Sequence, residues 1–106
     1  MSDRFNEVLD CVEDFKGAMI YKLRQNQAKG NRDGWKQEDA ATLIARCAEE
    51  LGELAKACRT RGAKTKTAIS VREEAADVAN FAMMIADLFG GLYPECANGA
   101  EENPNG

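Results

Sequence analysis

No histidine occurs among the 106 residues. Catalysis by a Ser/His/Asp or Cys/His arrangement is therefore excluded, and any chemistry must run on carboxylates, lysines or a metal ion. The four cysteines, Cys11, Cys47, Cys58 and Cys96, stand far apart with no CxxC pair, and without histidine they compose no zinc site. They are expected to be reduced, with Cys47 and Cys58 serving as small core residues. No stretch approaches the ~20 apolar residues of a membrane span. The opening Met1, Ser2, Asp3 and Arg4 has no hydrophobic signal-peptide core behind it, so the expected location is cytoplasmic. Positive charge is also in short supply: the formal net charge of −4 argues against a general binder of nucleic acid or anionic membrane, which needs a basic footprint. Any phosphate must be bound locally.

What is present points to helices. Nothing alternates apolar with polar convincingly enough for a strand, whereas several segments space their apolar residues by three and four. The class is all-α. A chain of this length with 44% hydrophobic residues fits one small domain, spanning residues 1–92 and leaving 93–106 as a polar, disordered tail. A first helix is expected from about Asp3 to about Ala28, with Phe5, Val8, Leu9, Val12, Phe15, Met19 and Leu23 on its stripe and Gly17 as a weak point. Residues 29–34, Lys-Gly-Asn-Arg-Asp-Gly, read as a loop before the single tryptophan, Trp35. A second helix starts near Lys36 to Asp39 and runs to about Arg61, with Gly62 as its stop. For the third, Ser70 followed by Glu73 reads as a capping box leading to Phe89, with Gly90 and Gly91 ending it.

Acidic residues then fall where a core belongs. Glu49, Glu50 and Glu53 lie on the second helix, and Glu73, Glu74 and Asp77 on the third. A lone i, i+3 acid pair reads as a solvated helix face. At roughly 100° per residue, however, Glu50 falls inside the stripe of Leu43, Cys47, Leu54 and Ala57, and Glu53 at its edge. On the third helix, Glu74 and Asp77 continue the row of Phe81, Met84 and Leu88. Burying unpaired carboxylates costs several kcal/mol each. Lysine or arginine partners could compensate, but the same stripes offer few: Arg46 stands near Glu50 and Glu53, and Arg72 is on the far side of its helix. A hard divalent cation held by oxygen ligands from two facing helices compensates better, and an all-oxygen set favours Mg²⁺ or Mn²⁺ over zinc or copper.

These residues carry a family resemblance. Glu49, Glu50 and Glu53 followed by Glu74 and Asp77 resemble the EExxE…ExxD signature of the MazG-like, all-α NTP pyrophosphohydrolase superfamily, over about Leu23 to Phe89. The run from Glu74 to Asp87 looks like a branch of it common in phage and archaeal proteins. The resemblance implies hydrolysis of a nucleoside triphosphate between its α and β phosphates, giving monophosphate and pyrophosphate. It implies Glu50, Glu53, Glu74 and Asp77 as ligands of Mg²⁺, with Mn²⁺ as a substitute. Glu49, the first acid of the motif, is expected to stand behind the ligands or orient the water, and Glu49 or Glu50 is the candidate to accept its proton. It also implies a homodimer, or a dimer of dimers, in which three helices per chain complete a four-helix core with those of a second copy.

The basic residues Lys29, Arg59, Arg61, Lys64 and Lys66 are candidates for the phosphate tail, against a plain reading as a solvated polar loop. Trp35 is a candidate for stacking on the base, or an interface anchor, and Asn26 and Asn80 for hydrogen bonds to base or sugar. Met83 and Met84 read as packing. Two other readings stand beside this one. A phosphoribosyl-ATP pyrophosphatase-like relative keeps the metal and the reaction and changes the substrate. A non-catalytic helical interaction or regulatory module uses the same acids for salt bridges between chains.

Overall fold

A computed structural model of the chain describes residues 3–28, 38–60 and 64–91. These form three α-helices, α1 (Asp3–Ala28), α2 (Ala40–Arg59) and α3 (Lys64–Leu88), with no strand among the described residues. The expected loop at 29–34, Gly62 as a stop and the tail at 93–106 lie outside them.

Local chemistry sets the helix ends. Asp39, in extended backbone (φ −90°, ψ 163°), caps α2, its side chain accepting the Thr42 N–H at 2.8 Å. That satisfies one of the amides a helix start leaves without a partner, and the same bond holds the Asp39 carboxyl below its ordinary pKa. At the other end Lys56 and Arg59 occupy the last turn of α2, where the helix dipole favours positive charge. α3 closes on a Schellman turn: Gly90 N–H donates to Asp87 O and Gly91 N–H to Ala86 O, both at 2.9 Å. Gly90 sits at φ 78°, a left-handed conformation that glycine adopts without the Cβ penalty.

The start of α3 departs from expectation. The helix begins at Lys64, six residues before Ser70, which lies inside it. Nothing from Lys64 to Ser70 interrupts a helix, since the segment holds neither glycine nor proline. The Ser70 and Glu73 pair is a mid-helix i, i+3 spacing that imitates a cap.

α2 and α3 form the larger interface and run antiparallel, as Arg46 against Phe81, Cys47 against Val78 and Glu50 against Glu74 and Asp77 require. α1 packs on α3. Small side chains let the helices approach: Ala18 on α1, Ala57 on α2 and Ala76 on α3 are buried, beside Met84 and the fully enclosed Leu43. The expected α2 stripe is therefore observed, with Cys47 half-buried. Cys58, expected in the core, is exposed, because one residue past Ala57 turns it about 100° away from the packed face. Cys11, Cys47 and Cys58 are free thiols.

α1 is divided along its length. Phe15, Met19 and Leu23 are half-buried, whereas Phe5, Val8, Leu9 and Val12, the earlier part of the same stripe, are exposed. No helix among the described residues is long and apolar enough to cross a membrane.

Candidate metal centre

Antiparallel packing of α2 on α3 brings the two acidic segments together. Glu50 projects from the face of α2 that carries Leu43 and Ala57. Glu74 and Asp77, one turn apart, project from the face of α3 that carries Met84. One carboxylate oxygen from each of Glu50, Glu74 and Asp77 lies within 4.8 Å of the other two, and all three residues are half-buried.

α1 adds a counter-charge that the sequence reading overlooked. Lys22 Nζ lies 3.6 Å from Asp77 Oδ2, with the two side chains 16% and 17% exposed. Its ammonium stands against a cluster in which the charged forms of Glu50 and Glu74 are disfavoured. Burial raises the Glu50 carboxyl above its ordinary pKa, reinforced by the charges of Asp77, Glu74 and Glu53 and opposed by Lys22. Burial likewise raises Glu74, with Asp77 reinforcing and Lys22 opposing. Withdrawal from water and like-charge repulsion thus act together, as expected where carboxylates share one partly enclosed space.

The other candidate residues distribute unevenly. Glu53 is exposed and does not join the three-carboxylate group, though its charge is felt by Glu50 and Glu74. Three residues from Glu50, it turns to the rim of the α2 stripe. Glu49 is exposed and points away from that stripe. Asn80 is buried at 2% exposure, one turn beyond Asp77. Its Nδ2 donates to the Met19 carbonyl at 3.0 Å, and its Oδ1 is enclosed without a hydrogen-bond partner among the described residues. The Asn80 amide therefore ties α3 to α1 at the level of the acid cluster.

Asn26, one turn after Lys22 on α1, is half-buried; Arg59 and Lys66 are exposed. Lys29, Trp35, Arg61 and the Lys64 side chain lie outside the described residues. Arg46 does not serve the acids as its position in sequence suggested. It pairs with Glu38 at 3.6 Å and stands over the Phe81 ring, 5.4 Å from its centre, because the next turn of α2 toward its start carries it past the cluster.

The donor set suits a hard divalent cation. In an octahedral Mg²⁺ shell the ligand oxygens stand about 3 to 4.2 Å apart. The carboxylate oxygens, within 4.8 Å of one another, stand close to that spacing. Every donor is oxygen, the set that favours Mg²⁺ or Mn²⁺. No family model, curated protein or solved structure matches the chain. The site therefore rests on its own geometry.

Proposed function

We propose that the chain is a Mg²⁺-dependent nucleoside triphosphate pyrophosphohydrolase of the MazG-like, all-α kind, cleaving between the α and β phosphates. The observation that carries this reading is the convergence of Glu50, Glu74 and Asp77 from two helices, the arrangement that the EExxE…ExxD resemblance implies. Glu50, Glu74 and Asp77 would hold the ion, with Glu53 reaching in from the rim. Bound there, it would supply positive charge against the negative charge that develops on the phosphate oxygens.

The residues of the chain do the remaining work. Glu50, from within the cluster, is better placed than the exposed Glu49 to accept the proton of the attacking water. The α2–α3 pairing fixes the acids on rigid helices, and Asn80 holds α1 and α3 in register beside them. Lys29, Arg59, Arg61, Lys64 and Lys66 are the basic residues available to the phosphate tail, and Trp35 and Asn26 to the base and sugar. Two copies of the chain assemble through the exposed half of the α1 stripe, Phe5, Val8, Leu9 and Val12. The spacing of these residues, i, i+3, i+4, i+7, suits helix-on-helix packing.

The test is to incubate the purified protein with each ribo- and deoxyribonucleoside triphosphate and Mg²⁺, and to identify products by ³¹P NMR. Monophosphate and pyrophosphate, absent with Glu50→Gln, are expected. Diphosphate and orthophosphate would place the cleavage elsewhere. No turnover of any triphosphate would favour the interaction-module reading.

A further inference from the structure

The cluster contains a group that lies outside the EExxE…ExxD pattern. Lys22 comes from α1, the helix that contributes none of the three clustered acids, and its ammonium faces Asp77 with little of the side chain exposed. A lysine ammonium offers three donors. At 3.6 Å from Asp77 Oδ2 it lies beyond ordinary hydrogen-bond range, so the pair is held by charge rather than locked by a bond. With Glu53 at the rim, the four acids and this ammonium carry three formal negative charges, one fewer than the acids alone.

We propose that Lys22 is a phosphate-contacting and charge-setting residue of the site: it shares Asp77 with the divalent cation and presents its ammonium to the polyphosphate of the substrate. This rests on the function proposed above. The argument is electrostatic. With Lys22 in place, a site loaded with one divalent ion keeps a single formal negative charge, and the ammonium offers a polyanion a point of attraction. Without it, the same site keeps two. The bare cation then binds more tightly, and the anionic substrate less well. Lys22 therefore acts in opposite directions on the two ligands, which a lysine serving only to stabilise the fold does not do. A unit charge acting on a divalent ion across about 6 Å of water-like dielectric changes its affinity about tenfold.

The experiment compares wild type with Lys22→Met, Lys22→Gln and Lys22→Arg. Mn²⁺ affinity is measured by EPR, and binding of inorganic tripolyphosphate by calorimetry at saturating Mg²⁺. Met keeps the apolar stem, Gln keeps a donor for Asp77 without charge, and Arg keeps the charge. Met and Gln are expected to bind Mn²⁺ about tenfold more tightly and tripolyphosphate correspondingly more weakly, while Arg stays near wild type in both. If Lys22→Met fails to fold by circular dichroism, Lys22→Gln decides. Weaker or unchanged Mn²⁺ binding, or unchanged tripolyphosphate binding, overturns the proposal. Absence of triphosphate hydrolysis would reject the proposed function and leave both binding arms readable, since neither requires turnover. A wild type that binds no Mn²⁺ removes the metal centre and this inference with it.

Discussion

Neutralising Glu50 is expected to stabilise the metal-free protein, the reverse of what removing a half-buried polar group ordinarily does. The Glu50 carboxylate lies within 4.8 Å of an oxygen on each of Glu74 and Asp77. At that separation, like charges repel by about 0.9 kcal/mol in water-like dielectric and about 3.5 kcal/mol at an effective constant of 20. Lys22 offsets part of the repulsion through Asp77, and partial exposure screens the remainder. The net relief in Glu50→Gln is then about 1 kcal/mol, which for a domain of this size raises Tm by roughly 4–8 °C. Mg²⁺ should invert the order. An ion at about 100 times its Kd adds ~2.7 kcal/mol to the wild type, and the variant, having lost a ligand, gains little. The assay is thermal unfolding by far-UV circular dichroism in EDTA and in Mg²⁺, at one protein concentration because assembly also moves Tm. A Glu50→Gln protein less stable than wild type in EDTA, or an equal Mg²⁺ shift in both, would refute the reasoning.

Further predictions follow from the same structure. In EDTA, stability should rise as pH falls from neutral. Glu50 and Glu74 have folded-state pKa values above the ordinary 4.5, so their protonated forms stabilise the fold below that value, and this is lost as pH rises through the raised values. Asp39, held low by its cap bond, gives the opposite slope at the acid end, placing the optimum in mildly acidic solution; a Tm that falls steadily from pH 7 to 5 contradicts this. Asn80→Ala should cost about 1–3 kcal/mol in urea unfolding, because it cuts the tie to the Met19 carbonyl; a cost under about 0.5 kcal/mol leaves the residue without a structural role. Gly17→Ala should add about 0.5–1 kcal/mol, since a Cβ there meets no atom within 4 Å; destabilisation would reveal a close neighbour at that face. Val12→Glu, at a site 57% exposed, should lower the molar mass seen by light scattering while leaving helix content unchanged; an unchanged oligomer mass puts the assembly surface elsewhere.

The parts of the fold that were legible in sequence are those where one signal dominates. The extent of α1 follows from uninterrupted three-to-four spacing, and the end of α3 from two adjacent glycines. The start of α3 was misplaced because a Ser-x-x-Glu spacing means a cap only where the chain is not already helical, and no residue from Lys64 onward interrupts the helix. The acid cluster was legible because carboxylates among Leu43, Cys47, Ala57 and Met84 contradict a buried face. Lys22 obeys the same logic: it lies between Met19 and Leu23 on the packed side of α1, a charge on an otherwise apolar face. The commitments of Arg46 to Glu38 and Phe81, and of Asn80 to α1, had no such signal, since each depends on how helices distant in sequence are set against one another.

The central claim is that a divalent cation binds where Glu50, Glu74 and Asp77 meet, and paramagnetic broadening locates a bound ion directly. In amide-resolved NMR spectra of the ¹⁵N-labelled protein, substoichiometric Mn²⁺ should selectively broaden resonances of residues 47–54, 73–80 and those around Lys22, and excess Mg²⁺ should restore them. Broadening scattered over the exposed acids of α1, such as Glu7, Asp10 and Glu13, with residues around Glu50 and Asp77 unaffected, would contradict it.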